Sequence, residues 1–203
     1  GWPSERIVPI YGAVNGNFSG NPTKNDIISC CNRYGLIRPY VMHTSGEDPR
    51  KNSAGLIRAF AKLPSEVRRN HQLVIVCALS EVGKHELRQL AKSLDLDDAD
   101  LILTGHVEDD DLKALYAGCR LFVFPSLLEG FGLPVLEAMT CGAPVIGARA
   151  TSLPEIINYD QALFDPNSGD AMSTLIARGL TDKKFRQVLC RNSRKQATRY
   201  SWS

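Results

Sequence analysis

The segment Arg120–Gly147, RLFVFPSLLEGFGLPVLEAMTCGAPVIG, carries the clearest sign of the fold. A short apolar run, Arg120–Pro125, leads through a glycine-containing loop into an amphipathic segment, Leu133–Cys141, and a second apolar run, Ala143–Gly147. Both apolar runs are continuous rather than alternating, which is typical of strands covered on both faces. The segment therefore predicts a strand, a helix and a second strand parallel to the first.

The same alternation extends along the rest of the chain. Further strands are predicted at Arg6–Ile10, Tyr40–Thr44, Gln72–Leu79 and Asp100–Thr104, further helices at Ser53–Leu63, Val82–Leu94 and Asp109–Ala117, and a loop at Gly12–Gly20. After Asp165 and Pro166 two more helices are expected, at about Ser168–Leu180 and Asp182–Tyr200. Alternating strands and helices with short connections predict an α/β fold, a Rossmann-like doubly wound parallel sheet with C-terminal helices.

Composition narrows the function classes. The 203 residues suffice for one large domain, and 24 Lys and Arg against 22 Asp and Glu give a formal charge of +2. This near balance does not favour nucleic acid as a partner. No signal-peptide pattern opens the sequence, and no apolar run approaches the length of a membrane span. The six cysteines show no metal-ligand spacing, so we expect reduced thiols and a cytoplasmic location.

The last predicted helix concentrates positive charge. Its cations are Lys183, Lys184, Arg186, Arg191, Arg194, Lys195 and Arg199. A charged helical face is usually only solvated. The alternative is a contact with another domain or with anionic lipid at the inner face of the membrane, and the sequence leaves both open.

A phosphate-binding feature is predicted where the strand Arg120–Pro125 ends. Gly130 and Gly132 leave backbone N–H groups unshielded just before a helix, and Pro134 suits its first turn. A helix start of this kind attracts phosphate through its free N–H groups and its dipole. Glu137 returns to the helical face of Leu133 about 6 Å further along, a distance comparable with that from a diphosphate to a ribose.

These residues carry a resemblance to a known family. The stretch EGFGLPVLEAM resembles the E-x7-E signature of retaining glycosyltransferases with the GT-B fold, family 4 or group 1 type, with Glu129 and Glu137 as its two ends. Further matching segments follow in order, at Asp48–Asn52, Leu103–Val107, Cys141–Ile146 and Ser152–Glu155. The resemblance extends over about Arg6–Trp202 and concerns the C-terminal, donor-binding half of such an enzyme.

The resemblance implies a role for each matching position. Glu129 would contact the transferred sugar, Lys51 would hold the donor diphosphate, and the adjacent Arg50 would share that charge; these three are the expected catalytic residues. Glu137 would contact ribose, and backbone groups near His106 and Val107 would read the base. The full set of expected donor-binding residues is Gly46, His106, Val107, Ser126, Gly130, Phe131, Gly132, Leu133 and Glu137.

The implied activity is retaining transfer of a hexosyl group from a nucleotide-diphospho-sugar to a glycan or lipid-linked acceptor, as in bacterial polysaccharide or lipopolysaccharide synthesis. Neither cofactor nor metal is expected. We interpret Asp109–Asp111 as acidic residues that suit the start of a helix, not as a metal clamp. Residues 1–203 would form a single donor-binding domain whose N-terminal acceptor-binding partner is missing, so that this fragment alone would be inactive.

One departure from the family keeps a second interpretation open. Many relatives have an arginine where this chain has Gly46, so one cation is missing at the diphosphate site unless Arg50 compensates. The alternative function is a non-catalytic nucleotide- or sugar-binding module of the same fold. A nicotinamide-binding domain is disfavoured because GxGxxG does not follow the strand Tyr40–Thr44, and the chain contains no P-loop motif.

Overall fold

The computed structural model describes residues 6, 11–14, 16–18, 20 and 22–200. Its centre is a six-stranded parallel sheet with the order β3-β2-β1-β4-β5-β6. The strands are β1 (Tyr40–Thr44), β2 (Gln72–Val76), β3 (Leu101–Gly105), β4 (Leu121–Phe124), β5 (Val145–Ala148) and β6 (Leu163–Phe164). The prediction of a doubly wound, Rossmann-like α/β sheet is therefore confirmed.

Helices cover both faces of this sheet. They are α1 (Lys24–Arg33), α2 (Ser53–Ala61), α3 (Ser65–Arg69), α4 (Glu81–Lys92), α5 (Asp109–Gly118), α6 (Leu133–Thr140), α7 (Leu153–Ile157), α8 (Gly169–Thr181) and α9 (Lys183–Arg199). One layer contains α2, α4 and α8, and the other contains α1, α5, α6 and α9. In the part of the chain that the structure describes, no helix is both long and apolar enough to cross a bilayer.

Most predicted elements lie within one to three residues of the observed ones. β1 has the predicted bounds, whereas β2 ends at Val76 because the next residue, Cys77, forms an antiparallel bridge to Gly105. The helices α1, α3 and α7 and the two-residue strand β6 were not predicted. The predicted strand Arg6–Ile10, apart from Arg6, lies outside the described residues.

A buried glutamine ties the strands together at the amino end of β2. Gln72 Oε1 accepts hydrogen bonds from the backbone N–H groups of Ile37 (2.8 Å) and Arg38 (2.9 Å). Gln72 Nε2 donates to the carbonyl oxygens of Gly35 (3.3 Å) and Ala99 (2.8 Å). This Gln72 cluster fixes the segment that enters β1 and the turn that enters β3 against the same strand.

The order of connections changes direction between β1 and β4. These strands are hydrogen-bonded neighbours, but the chain leaves β1 towards β2 and β3 and leaves β4 towards β5 and β6. Their following loops therefore diverge and open a crevice at the carboxyl ends of the strands. Crevices at such a switch point are the usual ligand sites of open α/β sheets.

Candidate functional site

The two loops at the crevice meet through an ion pair. Lys51 Nζ, after β1, lies 2.6 Å from Glu129 Oε1, after β4, although the residues are 78 positions apart in the chain. The Lys51 and Glu129 side chains are 26% and 11% exposed, and the ammonium group lies 5.5 Å from the centre of the Phe124 ring. Partial burial weakens screening by water, so these charges act more strongly on a neighbouring group than surface charges would.

Backbone and amide hydrogen bonds hold the same two loops together. Leu127 N (2.8 Å) and Ser126 Oγ (3.0 Å) both donate to the carbonyl oxygen of Arg50. Asn52 Nδ2 donates to the carbonyl oxygen of Pro125 (3.2 Å). The fully buried Ser126, expected to bind the donor, therefore has its hydroxyl engaged in joining the loops. These contacts fix the position of the Lys51–Glu129 pair.

The start of α6 provides a cradle of free backbone donors. Gly132 precedes the helix with a φ of 99°, and a Cβ there would lie 2.9 Å from Leu153 Cδ2, so the position requires glycine. No described residue accepts a hydrogen bond from the backbone N–H groups of residues 130–133. Unpaired N–H groups at a helix start, with the positive end of its dipole, form an anion-binding site.

The outer side of the cradle is fixed by two hydroxyl groups before α7. Thr151 Oγ1 accepts from Glu129 N (3.0 Å), and Ser152 Oγ donates to the carbonyl oxygens of Glu129 (3.3 Å) and Phe131 (2.9 Å). The Phe131 ring packs between those of Tyr11 and Tyr200, with centroids 6.5 and 5.9 Å away. The cradle thus keeps its shape without using its own N–H groups.

Glu137 lies one turn into α6 and has a buried partner. The fully buried Tyr116 of α5 donates a hydrogen bond from its hydroxyl to Glu137 Oε2 at 3.0 Å. Burial raises the pKa of the Glu137 carboxyl, an effect that the hydrogen bond from Tyr116 opposes. Burial also raises the pKa of the Tyr116 hydroxyl well above its ordinary value. Tyr116 is therefore a permanent donor that holds one oxygen of this carboxylate.

Arg50 turns away from the ion pair towards Asp48. Its Nε lies 2.8 Å and its Nη2 2.5 Å from Asp48 Oδ2, and the arginine side chain is 61% exposed. Hydrogen bonds from Arg50 lower the pKa of Asp48 to about 2. Gly46 lies in the same loop, where an added Cβ would meet no atom within 4 Å. The loop therefore has open space at Gly46, and the guanidinium of Arg50 is paired with Asp48.

The remaining expected donor-binding residues lie at the same edge of the sheet. His106 and Val107 follow β3; the His106 side chain is 75% exposed with Nε2 3.5 Å from Glu108 Oε1, and Val107 is buried. Leu133, at the start of α6, is exposed. The structure thus brings the predicted loops to one edge while giving their side chains different degrees of exposure.

A buried histidine lies on β1 below these loops. His43 is fully buried, and its Nδ1 lies 3.1 Å from the carbonyl oxygen of Val123, while Nε2 has no partner among the described residues. Burial lowers the pKa of His43 to about 3, and the positive charge of Lys51 acts in the same direction. The imidazole is therefore neutral near pH 7.

The acidic run Asp109–Asp111 begins α5, as expected from its preference for a helix start. Asp111 Oδ2 accepts from the Arg33 guanidinium and from Tyr34 Oη, the latter at 3.0 Å. Asp110 pairs with Lys113 at 2.7 Å. Across the described residues, no group of three or more His, Cys, Asp or Glu side chains is placed to hold a metal ion.

Sequence reasoning missed several supports of the site. Tyr116 lies within an amphipathic segment, where a tyrosine is usually interpreted as a residue of the hydrophobic core. Asn52 adopts a left-handed φ of 58° between two helical turns, and the sequence gives no periodic signal for that conformation. Ser152 was accessible to prediction because Ser152–Glu155 was part of the resemblance, whereas Thr151 immediately precedes that segment.

The fold and the loops at its switch point are those of the C-terminal domain of a GT-B glycosyltransferase. The family model described as "Glycosyl transferases group 1" matches residues 38–196. The chain belongs to this family.

Curated relatives include bacterial mannosyltransferases. The chain is 38% identical over 202 residues to the serotype-specific mannosyltransferase WbdA of Escherichia coli, covering 99% of this chain and 25% of WbdA. It is 34% identical over 214 residues to the O-antigen chain mannosyltransferase B of Escherichia coli, covering 99% of this chain and 52% of that protein. The chain thus spans between a quarter and about half of the length of these relatives.

Solved structures show the same fold. HepE from Anabaena, crystallised with UDP and glucose, superimposes with a TM-score of 0.84 at 24% identity, covering 98% of this chain and 54% of HepE. WaaG, a glycosyltransferase involved in lipopolysaccharide biosynthesis, superimposes with a TM-score of 0.79 at 21% identity, covering 97% of this chain and 53% of WaaG.

Proposed function

We propose that this chain binds a nucleotide-diphospho-sugar and presents its hexosyl group for retaining transfer to a glycan or lipid-linked acceptor in bacterial polysaccharide synthesis. One observation carries the proposal: Lys51 and Glu129 meet at 2.6 Å across the switch point, beside a helix start whose four N–H groups have no acceptor among the described residues. A cation and a helix start suit a diphosphate, and the adjoining carboxylate suits the hydroxyl groups of a sugar.

In this proposal the difficult step is departure of the nucleoside diphosphate. The bond between the anomeric carbon and the diphosphate oxygen breaks, and its electron pair leaves with the diphosphate. Lys51 and the N–H groups of residues 130–133 stabilise the charge that develops there. The acceptor hydroxyl then bonds to the anomeric carbon on the face that the diphosphate leaves, and its proton passes to an oxygen of the departing diphosphate. Glu129 orients the sugar and favours positive charge on its ring, and no metal takes part.

Glu137 is proposed to bind the ribose of the nucleotide. Glu137 lies about 6 Å along the helix axis from Leu133, and one of its carboxylate oxygens accepts a hydrogen bond from Tyr116. The loop containing His106 and Val107 is proposed to contact the base through backbone groups. The choice of a nucleotide sugar is supported by HepE, solved with UDP-glucose, and that of a hexose also by the Escherichia coli relatives, named mannosyltransferases.

The acceptor is proposed to bind to a part of the relatives that this chain does not span. The 203 residues would then act as a single donor-binding domain that binds nucleotide but transfers no sugar alone. A cytoplasmic location, with peripheral contact at the inner face of the membrane, remains part of this proposal.

A non-catalytic nucleotide- or sugar-binding module is the second candidate, and Gly46 favours it. The family resemblance leads us to expect a cation at that position, the glycine supplies none, and Arg50 pairs with Asp48. Sugar transfer by the full-length protein separates the two candidates, because a non-catalytic module would bind nucleotide and leave the donor intact.

Isothermal titration calorimetry of the folded chain with UDP, GDP and dTDP tests the donor site. We expect at least one nucleoside diphosphate to bind clearly more tightly than inorganic phosphate. The proposal is wrong if circular dichroism shows a folded chain and none of the three binds at millimolar concentration.

A further inference from the structure

A second groove, of about 800 Å³, opens where the chain enters β4 and β5. It lies at the amino ends of these strands, whereas the crevice that holds Lys51 lies at their carboxyl ends, so the length of a four-residue strand, roughly 13 Å, separates the two. Of the residues that the structure describes, five cationic ones and no carboxylate line this basic groove. They are Arg120, Lys183, Arg186, Arg191 and Arg194.

The spacing along α9 explains how three of these cations reach one surface. Lys183, Gln187, Arg191 and Arg194 recur at intervals of three or four residues, which places them on one helical face. Leu189 lies on another face of α9 and is buried in the core. One wall of the basic groove is therefore a face of α9 whose position is fixed by the packing of the opposite side of the helix against the core.

The negative ends of nearby helices neutralise only part of the positive charge of the basic groove. Arg186 Nη1 donates to the carbonyl oxygens of Gly179 (2.8 Å) and Leu180 (2.7 Å) at the end of α8. The helices α5 and α6 also end beside the groove, at Gly118 and Thr140, and the following residues Cys119 and Gly142 line it. Three helix ends contribute roughly −1.5 elementary charges together. Five cations therefore leave a clear positive excess.

The remaining groove cations form no ion pair within the part of the chain that the structure describes. No other described residue forms a hydrogen bond or ion pair with the side chains of Arg120, Lys183, Arg191 and Arg194. The carboxylate of Asp182, next to Lys183, accepts from Phe185 N and so caps α9. Burial, and after it the positive charge of Arg120, lowers the pKa of the largely buried Arg186.

We propose that the basic groove is a second anion site, separate from the donor crevice, that binds phosphate groups. The planar guanidinium groups of Arg120, Arg191 and Arg194 match the geometry of phosphate oxygens, and an anion would relieve the repulsion between Arg120 and Arg186. The same chemistry is offered by a soluble phosphate compound and by the headgroup of an anionic lipid.

Two double variants test the site on the folded chain. Arg191→Gln with Arg194→Gln removes two groove cations, whereas Lys184→Gln with Lys195→Gln removes two exposed cations of the same helix that do not line the groove. Both pairs change the net charge equally. Inorganic pyrophosphate is titrated while backbone amide signals are followed by NMR, and sedimentation with phosphatidylglycerol or phosphatidylcholine vesicles forms the second arm.

We expect pyrophosphate to shift the amide signals of Arg120, Gly142 and α9 separately from those of the start of α6. The groove pair should weaken this response about tenfold, and the control pair should leave it unchanged. Binding to phosphatidylglycerol vesicles that is lost in the groove pair identifies the source as a lipid headgroup, and a groove response to pyrophosphate alone identifies a soluble phosphate. The proposal is overturned if the two double variants weaken binding equally. It is also overturned if the groove pair changes neither the response to pyrophosphate nor the binding to vesicles.

Discussion

The Gln72 cluster and the Lys51 pocket, which comprises Lys51, Glu129 and the start of α6, both place polar groups at ends of the same sheet. In the Gln72 cluster, one amide makes four hydrogen bonds, all to the backbone of this chain. In the Lys51 pocket, four consecutive backbone N–H groups have no acceptor among the described residues. The polar atoms of the Gln72 cluster are thus all paired within the protein, whereas the N–H groups of the Lys51 pocket remain available to a ligand.

This difference separates residues that make the fold from residues that bind a ligand. A buried polar group without a partner costs free energy, so a fold retains it only where something else compensates. The buried Gln72 avoids this cost because its amide makes all four of its hydrogen bonds, whereas the donors of the Lys51 pocket lie on a loop in which Gly130 and Leu133 are exposed. Changes in the cluster should therefore lower stability, and changes in the pocket should lower binding.

The largest effect is expected from Gln72→Leu. Leucine leaves four backbone groups around it unpaired, at a cost of about 1–3 kcal/mol for each one that water does not reach. We expect the free energy of unfolding to fall by about 4 kcal/mol, measured by urea denaturation. Gln89→Leu, at an exposed position of α4, is the matched control and should stay within about 0.5 kcal/mol of the wild type. A loss below about 1 kcal/mol for Gln72→Leu would show that the cluster does not hold the fold.

The sequence could predict the framework because burial on both faces leaves a strong pattern. The strand β1 has the predicted bounds, and the helices from α4 to α6 begin within one residue of the prediction. The five-residue helix α7 and the two-residue strand β6 are too short to show a period. The hydrogen bonds that align the amino ends of the strands around Gln72 were not predicted either, because a single buried glutamine gives no periodic signal.

The site was predictable to the level of loops but not of side-chain partners. Parallel strands end at one edge, so Lys51 and Glu129 could be assigned to neighbouring loops from sequence alone. The sequence did not predict where the Arg50 side chain points, because local turn geometry decides whether its guanidinium faces a ligand or Asp48. Likewise, the hydrogen bond from Tyr116 to Glu137 joins two helices whose relative positions are set by packing.

The next largest effect is expected from Lys51→Met. Loss of the cation that contacts the proposed diphosphate should weaken nucleoside diphosphate binding about 100-fold, the equivalent of about 2.7 kcal/mol. The free energy of unfolding should change by less than about 1 kcal/mol, because methionine keeps most of the contact with Phe124. Calorimetry and urea denaturation measure the two quantities.

Lys62→Met is the matched control for that variant. Lys62 also forms an ion pair, at 2.7 Å with Asp170, but it lies on an exposed surface after α2. We expect it to leave nucleotide affinity unchanged. If both lysine variants weakened binding alike, the effect would come from overall charge, and the Lys51 pocket would not be the donor site.

The smallest effect, and the sharpest, is expected from Glu137→Gln. The amide still accepts a hydrogen bond from Tyr116 but no longer offers a charged acceptor to ribose hydroxyls, so nucleoside diphosphate binding should weaken about tenfold. Binding of inorganic phosphate should not change, because the cradle at residues 130–133 is intact. Calorimetry with both ligands measures the difference, with the exposed Glu66→Gln as control.

Stability provides an independent readout of the same variant. Because burial raises the pKa of Glu137 in the folded state, its contribution to stability is fully present below the ordinary carboxyl pKa and is lost as pH rises through the raised value. Glu137→Gln lacks this titration and should therefore match the wild type near about pH 4 and exceed its free energy of unfolding near about pH 7. A variant that is more stable but binds nucleotide less well would show that Glu137 is kept for the ligand. Equal weakening of phosphate and nucleotide would instead place its effect on the cradle and contradict the ribose role.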